Sequence, residues 1–166
     1  MFFALWPDPS LREALAAHAG CGDAGGRPVP RAQLHLTLVF PGSVPAERIP
    51  VLCERASVVR GTPFTLTLDR IDCFPRAAVA WIGPSVTPPA LQALAGALSD
   101  ACARAGTPGD GRPLRPHVTL RRHTAQLVRA AVPPVTWPVR DFVLVESGSG
   151  GRPGTYAVLA RWSLEP

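Results

Sequence analysis

Two short segments of the chain carry nearly the same residues, and they constrain the fold more than any other feature. The first reads His35-Leu36-Thr37-Leu38 and the second reads His117-Val118-Thr119-Leu120. Both lie in runs that are typical of β-strands, where successive side chains point to opposite faces. The pattern therefore predicts two strands with an apolar back in the core. On the other face of each strand, a histidine lies beside a threonine.

These residue types suit the chemistry of phosphate esters. Neutral imidazole accepts a proton and imidazolium donates one near neutral pH, so two histidines can divide general base and general acid work. The hydroxyls of Thr37 and Thr119 could bind the non-bridging phosphate oxygens. A neighbouring arginine could add a charge-assisted contact. Strand alternation selects Arg121 for this role, whereas a bulge or a strand end after the second segment would turn Arg122 inward instead.

Two other interpretations of the histidines compete with this one. A single histidine on an apolar strand is more often structural than catalytic, but the duplicated pair favours a function. Two histidines could also bind a metal ion, yet neither segment has an adjacent carboxylate or a third histidine at ligand spacing. The sequence predicts no metal site and no cofactor.

Length and composition limit the classes of protein to which the chain can belong. The chain has 166 residues, which fits one domain, and its formal charge of +5 comes from arginine because lysine is absent. Arginine suits phosphate, but a lysine-free chain rich in Ala, Gly and Pro indicates a genome-wide bias, so charge supports an RNA partner only weakly. No apolar run is long enough for a membrane span, and the start lacks the basic region of a signal peptide. The four scattered cysteines indicate reduced thiols in the cytoplasm.

The predicted elements follow the order β-α-β-α-β-β-β-α-β-β-β. Half-polar strands mixed with amphipathic helices indicate an α+β protein with antiparallel sheets. The two His-Thr strands lie about half the chain apart, and each follows a helix, which is consistent with two related lobes around a shared cleft. The predicted strands are 2–6, 34–40, 64–69, 71–74, 77–82, the second His-Thr strand, 140–147 and 155–164. Three helices are predicted: the first starts at Asp8-Pro9, the second lies within 45–59, and the third spans 88–105.

A set of motifs along essentially the whole chain carries a family resemblance. In order, they are Phe2-Phe3-Ala4-Leu5, residues 35–42, residues 115–120, residues 142–147, Tyr156 and Trp162-Ser163-Leu164. In this order and spacing the chain resembles the two-histidine phosphoesterases. Within them it is most similar to the RNA 2′,3′-cyclic phosphodiesterases once named 2′-5′ RNA ligases.

The resemblance implies a fold and an activity. The expected fold is a single bilobal α+β domain over residues 1–166 with pseudo-twofold symmetry. Two antiparallel sheets line its central cleft, with the helices on the outside. The expected activity is metal-independent hydrolysis of 2′,3′-cyclic phosphate RNA ends to 2′-phosphates in RNA processing, with 2′-5′ ligation as the reverse reaction. The protein is expected to be a monomer that binds RNA and no membrane.

Site residues carry over position by position. The resemblance makes His35 and His117 the catalytic pair, with His35 assigned as general acid and His117 as general base. Thr37 and Thr119 hold the phosphate.

Four further residues are predicted to contact the substrate. Arg122 matches the family's arginine, and Arg121 stands where the family has a small residue. Phe3 is a candidate for stacking on a base, and packing in the core is the alternative for this residue. Arg31 lies in the first loop, at a place where the family often has an arginine, and could contact RNA.

Other functions remain open at this point. The substrate could be a small cyclic nucleotide or an ADP-ribose cyclic phosphate. The protein could also bind RNA ends without turnover, although pure binding does not require imidazoles at both positions. A purely structural domain is the third alternative.

Overall fold

The computed structural model of the chain describes residues 1–20, 25–109, 111–124, 129–148 and 154–165. These residues form nine strands and three α-helices, with short 3-10 turns between some of them. The strands are β1 (Phe2–Leu5), β2 (Arg27–Pro28), β3 (Leu36–Val39), β4 (Phe64–Phe74), β5 (Val79–Gly83), β6 (Val118–Arg122), β7 (Ala130–Val139), β8 (Asp141–Ser147) and β9 (Tyr156–Ser163). The helices are α1 (Pro9–Ala17), α2 (Ile49–Ser57) and α3 (Pro89–Arg104).

Eight strands follow one another in the order β7-β4-β5-β6-β3-β1-β8-β9, and the short β2 also pairs with β6. All of these pairings are antiparallel. The order is symmetric about the contact of β6 with β3. We call β6, β5, β4 and β7 the His117 half, and β3, β1, β8 and β9 the His35 half. The predicted α+β fold with antiparallel strands is confirmed, and the two expected sheets are the two halves of one continuous sheet, joined at the pair Leu36 and Val118.

The two halves do not divide the chain at its middle. The His35 half takes its strands from both ends of the chain, whereas the His117 half is formed by the central strands. The helices cross between the halves. Helix α1 contacts β7 of the His117 half, and α3 contacts both β3 of the His35 half and α2.

The main core lies between the helices and one face of the sheet. Leu36 and Val118 are completely buried there, because both point away from the face that carries the His-Thr pairs. Asp8 starts helix α1 by accepting a hydrogen bond from the N–H of Leu11 at 2.8 Å, with Pro9 in the first turn. The buried helical side chains recur at helical spacing: Leu11 and Leu15, Leu52 and Ala56, and Leu91, Leu94, Leu98 and Cys102.

Two strands differ from the sequence prediction. The segments predicted as separate strands within 64–74 form one strand of 11 residues, β4, with an irregularity between Leu68 and Arg70. Strand β7 is not among the strands predicted from the sequence, and it contains three prolines. Pro133, Pro134 and Pro138 are tolerated because β7 ends the strand order and so needs a hydrogen-bonded neighbour on one side alone.

The described cysteines form no disulfide bond. Cys53, Cys73 and Cys102 are free thiols, and Cys21 lies outside those residues. In the same part of the chain, no helix has both the length and the apolarity to cross a membrane.

The turn before β2 approaches β6 very closely. Gly26 has a φ angle of +70°, and a Cβ atom built on it would lie 2.3 Å from the carbonyl oxygen of Arg122. Glycine is therefore required both by the backbone conformation and by the space available.

We expect Gly26→Ala to lower the free energy of unfolding by about 1–3 kcal/mol, because the new methyl group meets backbone and the φ angle is strained. Gly96 is the matched control: it is an exposed helical glycine with nothing within 4 Å of an added Cβ. Gly96→Ala should raise the free energy of unfolding by about 0.5–1 kcal/mol. Denaturant unfolding of both variants measures the difference. Equal stability of the two variants would contradict the close approach.

Candidate active site

The four residues of the two His-Thr pairs lie on one face of the sheet, which we call the cleft face. Leu36 of β3 pairs with Val118 of β6 in an antiparallel register. One residue to either side of this pair, His35 therefore comes opposite Thr119, and Thr37 comes opposite His117. Directly opposed residues on one face of a sheet are close neighbours. The register brings together two imidazoles and two hydroxyls.

Both imidazoles are held in the same way. The Nδ1–H of His35 donates a hydrogen bond to the carbonyl oxygen of Gln33 at 2.6 Å, and the Nδ1–H of His117 donates to that of Arg115 at 2.6 Å. A carbonyl oxygen can only accept, so Nδ1 carries a hydrogen in both rings. The Nε2 atom of each ring is therefore the one that gains or loses a proton.

Aromatic rings surround His35. Phe2 stacks on its ring with a centroid distance of 4.7 Å, Trp6 stacks at 5.6 Å, and Tyr156 meets it edge-on at 5.3 Å. These contacts fix the orientation of the imidazole and keep water from most of its surface.

His117 has a similar but smaller aromatic environment. Phe74 meets its ring at a right angle with centroids 4.9 Å apart, and Trp81 lies at 5.9 Å with a tilted ring. Trp81 is opposite Thr119 in the pairing of β5 with β6, which places its indole on the cleft face.

Burial perturbs the proton affinity of both histidines. Removal from water lowers the pKa of His35 to about 4, and the nearby charges of Arg122 and His117 act in the same direction against the hydrogen bond to Gln33. Burial likewise lowers the pKa of His117, and Arg122 again contributes. Both imidazoles are therefore neutral at neutral pH in the free protein.

Matching bulges follow the two segments. On β6, Thr119 pairs with Trp81 and Arg121 pairs with Ala80, so Leu120 has no partner on β5. A β-bulge of this kind inserts one residue and shifts the alternation of the residues that follow. As a result Arg122 returns to the cleft face, whereas Arg121 points to the helix face.

The same irregularity occurs on β3. Thr37 pairs with Ala4 and Val39 pairs with Phe3, so Leu38 has no partner on β1. Phe40 follows the end of β3, and the shifted alternation, if continued, would put it on the cleft face at the position that corresponds to Arg122. Among the described residues Phe40 is the one aromatic side chain in the set of exposed large apolar residues, with 47% exposure.

Strand alternation therefore selects the wrong arginine. The guanidinium of Arg121 donates to the backbone carbonyls of Ala19, Gly25 and Gly26 at 3.0, 2.7 and 3.0 Å. These bonds secure the loop after α1 and leave Arg121 unavailable for a phosphate. Arg122 is exposed and lies close enough to lower the pKa of both catalytic candidates.

Two further predicted contact residues lie elsewhere. The prediction that Phe3 stacks on a base is wrong, because its ring is completely buried against Phe142 and Trp162 in the core. Arg31 forms an exposed ion pair with Glu13 at 2.8 Å. Its contact with RNA stays a prediction.

The threonine hydroxyls are available for a ligand. Neither Thr37 nor Thr119 has a side-chain hydrogen-bond partner among the described residues, and both are half-buried. In that same part of the chain, no three His, Cys, Asp or Glu side chains form a group that could hold a metal ion.

Sequence reasoning missed several residues of this site. Phe40 could have been found only by knowing the bulge, and the aromatic partners Trp6, Phe74 and Trp81 only from strand register. Tyr156 was noted in the family resemblance, but its contact with His35 was not foreseen.

Comparison with known proteins identifies the family. A family model described as the 2′-5′ RNA ligase superfamily matches residues 7–151. The chain belongs to this superfamily. One curated relative, the RNA 2′,3′-cyclic phosphodiesterase of Escherichia coli K12, is 36% identical over 99% of this chain and 96% of its own. The enzyme of the same name from Thermus thermophilus is 34% identical over 99% of this chain and 89% of its own.

Solved structures of superfamily members share the fold. The crystal structure of E. coli LigT in apo form superimposes with a TM-score of 0.86, at 36% identity, over 99% of this chain and 96% of that one. LigT complexed with 3′-AMP gives a TM-score of 0.86 at 36% identity, with 99% and 97% coverage. The similarity extends over nearly the complete lengths of both chains and includes both halves of the sheet.

The two adjacent arginines should differ sharply when substituted. We expect Arg121→Ala to lower the free energy of unfolding by about 1–3 kcal/mol, because it removes charged hydrogen bonds to three carbonyls. Arg122→Ala should leave the stability nearly unchanged, since its side chain is exposed. Denaturant unfolding distinguishes them, and a greater loss for the Arg122 variant would show that the bulge is misassigned.

Burial of His35 should also be visible in the pH dependence of stability. Its pKa is about 4 in the folded protein and about 6.5 when unfolded, so protonation favours the unfolded state. Stability should therefore fall as the pH decreases from about 6.5 to about 4. We expect His35→Asn to flatten this decrease when unfolding is measured at both ends of the range. A decrease as steep as that of the wild type would contradict burial of His35 in its neutral form.

Proposed function

We propose that this protein hydrolyses the 2′,3′-cyclic phosphate at the end of an RNA chain to a 2′-phosphate, without a metal ion. The observation that carries the proposal is the pair of imidazoles on adjacent strands. Each has Nδ1 tied to a backbone carbonyl and Nε2 free, beside a threonine of the opposite strand. The names of the E. coli and T. thermophilus relatives support the same reaction.

In the proposed reaction, one histidine accepts a proton from water as the water oxygen bonds to phosphorus. The bond from phosphorus to O3′ breaks on the opposite side, and the other histidine gives a proton to O3′. Thr37, Thr119 and Arg122 hydrogen-bond the non-bridging oxygens and stabilise their charge.

In this proposal His117 is the base that takes a proton from water and His35 is the acid, which are the roles that the family resemblance implies. Burial lowers the pKa of both rings, so both are neutral in the free protein. The acid must take up its proton together with the anionic substrate.

The exposed ring of Phe40 is our candidate for stacking on the terminal base, in place of Phe3. Phe40 comes three residues after Thr37, just past the bulge of β3, as Arg122 comes three residues after Thr119, just past the bulge of β6. The monomeric state, the single domain and the cytoplasmic location remain predictions from the sequence.

The direct test is conversion of a short RNA with a 2′,3′-cyclic phosphate end in the presence of a chelator. Wild-type protein should yield a 2′-phosphate end. His35→Ala and His117→Ala should each lose about 100-fold or more of the turnover. His18→Ala, which alters a histidine at the end of α1, is the matched control and should keep full activity.

Three outcomes would contradict the proposal. Full activity in either catalytic variant would exclude the paired mechanism. Loss of activity in chelator that added metal restores would support a metal mechanism. Tight binding of the same RNA without conversion would support an end-binding module.

We expect Phe40→Ala to raise KM for this RNA by about tenfold and to change kcat little, because base stacking on an aromatic ring contributes about 1–3 kcal/mol. Steady-state kinetics of the wild type and the variant measure this. Phe40→Trp should retain the wild-type KM, and an unchanged KM in Phe40→Ala would exclude Phe40 as the stacking residue.

A further inference from the structure

A cavity of about 500 Å³ lies beside His117 on the cleft face of β4 and β5. We call it the Arg70 pocket. Phe74 and Trp81, the two aromatic neighbours of His117, form its inner wall, and the cations Arg70, Arg115 and Arg129 line it. Asp72 is the one carboxylate among the lining residues.

Arg70 is held in place by the strand register. It pairs with Gly83, whose missing side chain leaves room for the indole of Trp81: a Cβ on Gly83 would lie 2.7 Å from the ring. The guanidinium of Arg70 lies over that indole, 5.5 Å from the ring centroid. This cation–π contact orients a charged group one side chain away from His117.

The two nearby carboxylates accept hydrogen bonds from groups other than Arg70, and Asp72 is paired with Arg129 inside the pocket. Asp69 accepts hydrogen bonds from the N–H and the hydroxyl of Ser85 at 2.7 and 2.6 Å. Asp72 accepts from the N–H of Cys73 and from Nε of Arg129, at 2.7 and 2.9 Å. The charge of Arg70 lies near enough to act on Asp69 and Asp72, but its guanidinium has no hydrogen-bond partner among the described residues, so its N–H donors are open to a ligand.

A second cavity, of about 440 Å³, lies beside His35 and offers a less suitable surface. One of its three cations, Arg161, is ion-paired with Asp141. One of its two indoles, Trp6, is covered by the ring of His35 and by the guanidinium of Arg12.

We propose that the Arg70 pocket binds the sugar-phosphate backbone of the RNA next to its cyclic phosphate end. This proposal rests on the proposed function of the histidine pair. The guanidinium of Arg70 is oriented by Trp81, and Arg115 lines the pocket beside Arg129, which is paired with Asp72. These cations suit an internal phosphodiester, and their position directs the RNA chain across the His117 half. The protein then prefers an oligonucleotide to a mononucleotide, because a mononucleotide has no phosphate to place there.

The test compares two substrates, adenosine 2′,3′-cyclic phosphate and a short RNA that ends in the same cyclic nucleotide. Wild-type protein should have the higher kcat/KM for the RNA. Arg70→Ala should lower kcat/KM for the RNA about tenfold, through KM, and leave the mononucleotide unchanged. The salt dependence of log KM for the RNA should also become shallower, by about 0.7 for one lost phosphate contact.

The matched control is Arg140→Ala, which removes a cation from the cavity beside Trp6 and should affect neither substrate selectively. Equal losses for both substrates in Arg70→Ala would make Arg70 a support for Trp81 rather than a ligand of RNA. Two other results would also contradict RNA binding in the Arg70 pocket: no loss for either substrate in Arg70→Ala, or no preference of the wild type for RNA.

Failure of the proposed function is distinguishable from failure of the pocket. If wild-type protein converts neither substrate, the catalytic proposal fails, and binding then tests the pocket. For that test, the RNA carrying a 2′-phosphate end should bind the wild type about tenfold more tightly than Arg70→Ala. Equal affinity would exclude the pocket as an RNA site.

Discussion

The backbone pairing of Leu36 with Val118 is the constraint on which the site depends. It joins the two halves of the sheet, and it sets which residues of β3 and β6 oppose one another. A shift of one residue on either strand would turn one histidine and its threonine into the core. Because both residues of the pair are completely buried beneath the helices, the apolar core itself holds the catalytic register.

The same arrangement holds both histidines in one tautomer and one orientation. Hydrogen bonds from Nδ1 to the chain two residues earlier set the tautomer, and aromatic rings set the orientation. Burial destabilises the protonated imidazoles, so the free protein presents two neutral rings beside the positive charge of Arg122. An anionic phosphate would offset that charge and raise both pKa values, which links substrate binding to the charging of the acid.

Sequence periodicity predicted the parts of the site that depend on local alternation. A histidine and a threonine two residues apart must share a face of a strand, so His35, Thr37, His117 and Thr119 could be found without a structure. The α+β class could be predicted for the same reason, since strand and helix periodicities are local properties.

Features that depend on pairing could not be predicted in this way. A bulge is defined by the partner strand, so alternation alone assigns Arg121 to the place that Arg122 holds. Phe3 and Phe40 are both apolar residues in or beside strands, and their burial depends on which face the packing covers. The Arg70 pocket needs the register of β4 with β5, which no spacing along the chain shows.

Nitrogen-15 NMR of the histidine rings tests the central claim most directly, in the free protein and with a bound 2′-nucleotide. We predict that at neutral pH the free rings of His35 and His117 are both neutral, with the hydrogen on Nδ1 and a bare Nε2. With the nucleotide bound, both Nε2 signals should shift, and one ring should become protonated. A ring with its hydrogen on Nε2 in the free protein, or a nucleotide that shifts just one of the two histidines, would contradict a site in which both imidazoles act on one phosphate.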